Sequence, residues 1–152
     1  VMVDLNGDFT GYMTDMTRVF SVGKVSQEAY DAHQCSIDIC RLFEKEARPG
    51  TEAKSLYAMV ENLVKERGLE RYFMGHRQHA GFIGHGLGIE INELPVIAPR
   101  SRHILQHNNM IALEPKFVIP GVGAVGIENT YCITDNGAER LTDAPEEIVD
   151  LI

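Results

Sequence analysis

Four acids and one histidine, Asp4, Asp15, His85, Glu114 and Glu128, are spread along nearly the whole chain. Each lies in or beside a short apolar segment that reads as a strand or a strand end. A carboxylate set among apolar strand residues is expensive to bury unless it is paired or binds a metal. Four carboxylates and one imidazole suit a pair of divalent cations, and such a pair can activate water for hydrolysis.

Taken singly, each residue has a plainer reading. Asp4 and Asp15 lie eleven positions apart across an expected hairpin, and two acids on a hairpin are usually solvated. They share one face only if the strand register cooperates. His85 stands between Gly84 and Gly86; glycines let the backbone pass close to a site, but a flexible-loop histidine looks the same. Glu114 follows the apolar run Met110-Ile111-Ala112-Leu113, and Glu128 follows Val125-Gly126-Ile127. On pattern alone, Glu128 reads equally well as an outward-facing strand residue.

The length of 152 residues suits one domain, here expected over 1–152. A formal net charge of −8 argues against a nucleic-acid partner, which needs clustered Lys and Arg. No apolar run is long enough for a transmembrane helix, so no membrane partner is expected. Cys35, Cys40 and Cys132 make an odd count with no CxxC pair; buried free thiols and the reducing cytoplasm are the expectation. The chain opens inside a strand with no initiator Met, which suggests the N-terminally truncated part of a longer protein.

Strand-forming residues fill 1–5, 9–12 and 16–22, with turn chemistry at Asn6-Gly7-Asp8. Ser26 can cap a helix whose apolar face is Tyr30, His33, Ile37, Cys40, Phe43 and Ala47, ended by Pro49-Gly50. Thr51 is positioned to cap a second helix, with Ala53, Leu56, Val60, Leu63 and Val64 inward and Gly68 closing it. Residues 72–88 read as a Gly- and His-rich loop, and 89–92, 110–113, 125–134 and 138–141 as strands. Asp135-Asn136-Gly137 makes a tight turn, and 145–152 resembles a short terminal helix. Strands, two helices and strands again give an α+β class: helices on one face of a largely antiparallel sheet.

Several segments together resemble the pita-bread metallopeptidases, a family that includes methionine aminopeptidase, aminopeptidase P and prolidase. They are Asp4-Leu5-Asn6-Gly7 with Gly11-Tyr12-Met13-Thr14-Asp15-Met16-Thr17-Arg18, then Gly84-His85-Gly86-Leu87-Gly88, Ala112-Leu113-Glu114-Pro115 and Gly126-Ile127-Glu128-Asn129. The resemblance covers essentially the whole chain in order, and it implies the C-terminal part of a pita-bread fold with a curved sheet. It also implies two divalent ions (Mn, Co, Zn or Fe), with Asp15 and Glu128 bridging them. Asp4 would complete one coordination sphere, and His85 and Glu114 the other. The implied chemistry is hydrolysis of a peptide bond by a bridging water, with Glu114 also moving the proton. Ile119-Pro120-Gly121 and the ending Thr134-Asp135-Asn136-Gly137-Ala138-Glu139-Arg140-Leu141-Thr142 look closer to the Xaa-Pro dipeptidase and aminopeptidase P branch. A small peptide is then the expected substrate partner, and a homodimer is expected because relatives often pair.

Three positions depart from the family pattern. Asn92 stands seven residues after His85, where active relatives have a histidine that contacts the scissile carbonyl. An Asn can donate an amide N–H to the developing oxyanion but carries no cationic charge. Lys116 stands where relatives commonly have Gly, and Gly126 where they often have Arg. His79 in the Gly-rich loop, with His76 beside it, is a candidate substrate-binding imidazole. The departures leave two alternatives to a peptidase: a relative acting on a non-peptide small molecule as hydrolase or lyase, and a catalytically weakened binding module.

Overall fold

The first half of the chain starts as one long ribbon. The computed structural model describes residues 1–152. Strand β1 (Met2–Phe9) runs antiparallel to β2 (Tyr12–Ser21), and the reversal falls at Thr10-Gly11, both at positive φ. Asn6-Gly7-Asp8, expected to turn, instead lies inside β1. The two-residue turn with both φ values positive matches the right-handed twist of the flanking strands, and it wins over the upstream turn signal.

Helix α1 (Gln27–Glu46) begins where Ser26 accepts a hydrogen bond from the Ala29 amide. Its buried face is Ala29, Ala32, His33, Cys35, Ser36, Ile39, Cys40 and Phe43, rotated from the expected stripe: Tyr30 is exposed and Ile37 only half-buried. Small residues in that stripe let the helix approach the sheet closely, so the large side chains collect near its C-terminal end. Helix α2 (Ala53–Glu66) buries Ala53, Leu56, Tyr57, Val60 and Val64, and Gly68 follows its end at positive φ. Its cap position is Glu52, not Thr51. The Thr51 hydroxyl instead donates to the Glu46 carbonyl and accepts from the Arg48 amide, closing α1.

The remaining strands are β3 (Gly84–Gly86), β4 (Glu93–Ile97), β5 (Met110–Leu113), β6 (Lys116–Ile119), β7 (Gly123–Gly126), β8 (Asn129–Thr134), β9 (Gly137–Arg140) and β10 (Val149–Asp150). They form a five-stranded antiparallel sheet in the order β4-β3-β5-β8-β9, a β6-β7 hairpin, and a third sheet in which β10 adds parallel to β2 beside β1. Residues 89–92 are bends rather than a strand, and pairing resumes only at Glu93. The expected strand over 125–134 is broken at Ile127-Glu128: its first part pairs with β6, its second with β5 and β9. The expected terminal helix is absent, because Val149 and Asp150 pair with Phe20 and Ser21 at the open edge of β2. The class is therefore α+β with mostly antiparallel sheets, as expected.

Helix α1 packs across β9, β7 and β6, and α2 against β4. Phe43 and Tyr131, both essentially inaccessible, meet with ring centroids 5.4 Å apart and join α1 to β8. All three cysteines are free; burial pushes Cys35 up to about 11 and Cys40 up to about 12, so neither thiol is reactive near neutral pH. No helix is long and apolar enough to cross a membrane.

The rotated face of α1 has a measurable consequence. Phe43→Ala should destabilise the protein by about 3–5 kcal/mol in urea titrations, whereas Tyr30→Ala should cost under about 1 kcal/mol. Equal losses at the two positions would contradict the observed rotation.

Candidate metal centre

The ribbon register places Asp4 opposite Thr17 and Asp15 opposite Asn6. Facing residues on paired strands share a face, so Asp4 and Asp15 are diagonal neighbours on one side of the ribbon. Asp15 is buried at the inner end of that diagonal, and Asp4 is exposed at the other.

Glu128 reaches the same place from the far end of the chain. It sits in the break between β7 and β8, where its backbone exchanges hydrogen bonds with Thr17 of β2 (3.2 and 3.3 Å). The Thr17 hydroxyl donates to Glu128 Oε2 at 2.8 Å. Beside it, the buried Arg18 guanidinium donates to the carbonyls of Thr17 and Glu128 and to Asn129 Oδ1, each at 2.8 Å. Asn129 donates in turn to Glu146, which is held by Arg41 and Arg140. Thr130 ties the second acid, donating to the Asp15 carbonyl at 2.9 Å. The strand break at Glu128 is thus a crossing point fixed by side chains from both termini.

His85 enters from β3, between β4 and β5. A Cβ at Gly84 would lie 2.7 Å from the Ala112 carbonyl oxygen, and one at Gly86 2.5 Å from that of Leu94. The flanking glycines are therefore required by the neighbouring strands, which close on both sides of the imidazole and hold it still. His85 Nε2 lies 3.9 Å from Asp15 Oδ2 and 3.7 Å from Glu114 Oε1. Both separations are too long for hydrogen bonds, yet each is under twice a metal–ligand distance of about 2.0–2.2 Å.

Asp15, His85 and Glu128, all buried, offer donor atoms that lie within 4.8 Å of one another. Asp15 Oδ1 is buried without any hydrogen-bond partner. Burial pushes Glu128 up to about 8 from its ordinary 4.5, and the charges of Asp15 and Glu114 add to that shift, while the Thr17 hydrogen bond opposes it. Asp15 is raised too, by burial first and by Asp4 next. Crowded acids with an unmet lone pair and an imidazole in reach are a donor set that fits a divalent cation. Asp4 stands outside the tight group but close enough for its charge to act on both Asp15 and Glu128.

Asn92 is exposed in the bend between β3 and β4 and lines an open cleft of about 760 Å³ together with His85. His79 does not reach this cleft. Its Nδ1 lies 2.7 Å from the Phe73 carbonyl, and it lines a separate cavity with Tyr57, Phe73 and Met74. The two basic-and-glycine departures, Lys116 and Gly126, turn out to be cross-strand partners in the β6–β7 hairpin. Thr17, Arg18 and Asn129 stand inside the sequence segments that carry the family resemblance, but nothing in their spacing gives them a role. That role needs the contact between β2 and the Glu128 break.

Glu128 makes stability depend on pH. Its carboxyl titrates higher in the folded than in the unfolded chain, so folding takes up a proton between about pH 4.5 and 8. Without a bound cation, stability should fall as pH rises through that window, and Glu128→Gln should flatten the slope. Urea midpoints measured across it test this; a midpoint that rises with pH in the wild type would contradict it.

Metallopeptidase family M24 matches residues 1–135. The Xaa-Pro dipeptidase of Pyrococcus furiosus is 34% identical over 149 residues, 98% of this chain and 41% of that protein. An uncharacterized peptidase of Bacillus subtilis is 33% identical over 151 residues, 99% of this chain and again 41% of its own. The crystal structure of an X-Pro aminopeptidase from Thermotoga maritima superposes with a TM-score of 0.89 at 27% identity, over 99% of this chain and 40% of that one. The chain thus spans about 41% of the length of the curated relatives it matches. With the pita-bread fold in place and the family's pattern running through most of its length, the chain belongs to metallopeptidase family M24.

Proposed function

We propose that this chain carries the catalytic site of a peptidase that cleaves Xaa-Pro bonds with the help of two divalent ions. In this reading Asp15, His85, Glu114 and Glu128 hold one ion, and Asp4, Asp15 and Glu128 hold the other. The observation that carries it is the buried convergence of Asp15, His85 and Glu128 within 4.8 Å, with Glu114 facing the same imidazole. Bound there, the ions supply Lewis acidity, which makes water a nucleophile near neutral pH and polarises a peptide carbonyl.

The chain's own groups do the rest. Glu114 takes up the proton of the attacking water and returns it to the departing amine; its Oε1 faces the centre while its Oε2 is held by Lys116. Asn92, on the same cleft as His85, donates its amide N–H to the oxyanion that forms on the scissile carbonyl. Arg18 and Thr17 keep Glu128 at the crossing point, so the geometry does not have to be assembled for each turnover. The dipeptidase and aminopeptidase names of the relatives support proline-containing peptides as the substrate class.

The test is release of the N-terminal amino acid from Xaa-Pro dipeptides by the full chain supplied with Mn²⁺ or Co²⁺. His85→Ala and Glu128→Ala should each lower kcat/KM by at least about 100-fold. Asn92→His should raise kcat by about tenfold or more at unchanged metal content. No release from any Xaa-Pro peptide, or release indifferent to both ligand variants, would overturn the proposal.

A further inference from the structure

The segment after β9, residues 141–148, carries no helix or strand, so its course is set by the hydrogen bonds and ion pairs that hold it. It lies beyond residue 135, where the match to the family ends. Two lines of hydrogen bonds leave it, and they finish at the two buried acids. In the first, the Thr142 hydroxyl accepts from the Thr130 amide at 2.9 Å, and the Leu141 amide donates to the Thr130 carbonyl at 2.9 Å. The Thr130 hydroxyl then donates to the Asp15 carbonyl. In the second, Glu146 Oε1 accepts from Asn129 Nδ2 at 2.8 Å, and Asn129 Oδ1 accepts from Arg18. Arg18 donates onward to the Glu128 carbonyl and, at 3.2 Å, back to that of Ala144.

The segment is anchored on its other side. Glu146 is 5% exposed, and its carboxylate is paired with Arg41 of α1 and Arg140 of β9. His33 Nε2, buried on α1, is hydrogen-bonded to the Glu146 carbonyl at 2.7 Å. Val149 and Asp150 close the segment by pairing with β2. Burial alone would raise the Glu146 pKa, but the hydrogen bond and charge of Arg41, with Asn129 and Arg140, outweigh burial and lower it. Glu146 therefore stays ionised, and its bonds are of the stronger, charge-assisted kind.

We propose that residues 141–150 form a positioning strap for the backbones of Asp15 and Glu128, with Glu146 as its charged anchor and Thr142 as its second tie. The strap holds the crossing of β2 with residue 128 against the repulsion of the acids carried there. Its effect on ion affinity rests on the metal reading above; its hold on the two backbones does not.

Two measurements on the full chain test this. In the metal-free protein, native-state hydrogen exchange reads the Thr17 and Glu128 amides, which bond each other's carbonyls at the crossing. Glu146→Gln keeps the shape and an acceptor for Asn129 but loses the charge. Those two amides should exchange at least about tenfold faster in it, with the amides of α2 unchanged. Thr142→Val, of the same shape as the native residue, should do likewise and carries the test if Glu146→Gln fails to fold; Thr142→Ser should keep the wild-type rates. In equilibrium dialysis, the Kd for Mn²⁺ should rise at least about tenfold in Glu146→Gln and Thr142→Val and stay within about threefold of wild type in Thr142→Ser. Val60→Ala, a core change on α2, should lower the urea midpoint and leave that Kd unchanged. Exchange that quickens at every amide alike, or at none, would overturn the strap. So would an Mn²⁺ Kd unmoved by both strap variants, or raised as much by Val60→Ala. A wild type that binds no Mn²⁺ would instead bring down the metal reading, and the exchange rates alone would then decide whether the strap holds the two backbones.

Discussion

Everything in this structure turns on two buried carboxylates, Asp15 and Glu128, held close together although burial and the charge of Asp15 both make Glu128 harder to ionise. Like charges in a poorly hydrated place repel strongly, and left alone they would push the ribbon and the β7–β8 segment apart. What prevents this is a backbone crossing between Thr17 and Glu128, with Arg18 clamping the two carbonyls from behind. The strand break at Ile127-Glu128, costly in lost sheet pairing, makes the crossing possible. From there the tie runs through Asn129 and Glu146 to Arg41 on α1 and Arg140 on β9. The pair is held by elements from the beginning, the middle and the end of the chain.

The parts around that pair differ in stiffness, and the difference matches their tasks. His85 lies in a strand paired on both sides, with neighbouring backbone filling the space beside its flanking glycines. Glu114 follows directly on β5, its amide bonded to the Ile83 carbonyl at 2.9 Å. Asn92, by contrast, occupies an exposed bend on the cleft wall. Under the proposed function, the groups assigned to the ions sit on or directly beside paired strands, and the group assigned to the substrate sits in an exposed bend. Lys116 opens the β6–β7 hairpin, and its ammonium is paired with Glu114.

Much of this could be read from the residues, and where it could not the reason is physical. Glu114 and Glu128 were visible because each ends or interrupts an apolar run, whereas Asp4, Asp15 and His85 gained a role only from the ordered set of segments that resembles the family. Ser26 announced the start of α1 because capping is a local interaction. Thr51 misled because its hydroxyl serves either neighbouring helix, and only the packed structure chooses α1. Strand β6 was not read from the residues at all, although its hairpin partner β7 follows just beyond Pro120-Gly121. The last residues read as helical because their edge partner, β2, is more than a hundred residues away. Arg18 and Asn129 stood in plain view without a role, since nothing local says that a guanidinium will cross to residue 128.

The most direct test is a crystal of the full chain grown with Mn²⁺ and measured at the manganese absorption edge. The predicted result is an anomalous peak bounded by Asp15 Oδ2, His85 Nε2 and a Glu128 carboxylate oxygen, with Glu114 completing the shell. A map with no peak among those atoms, or with manganese bound only elsewhere on the protein, would contradict the claim that this convergence is a metal centre.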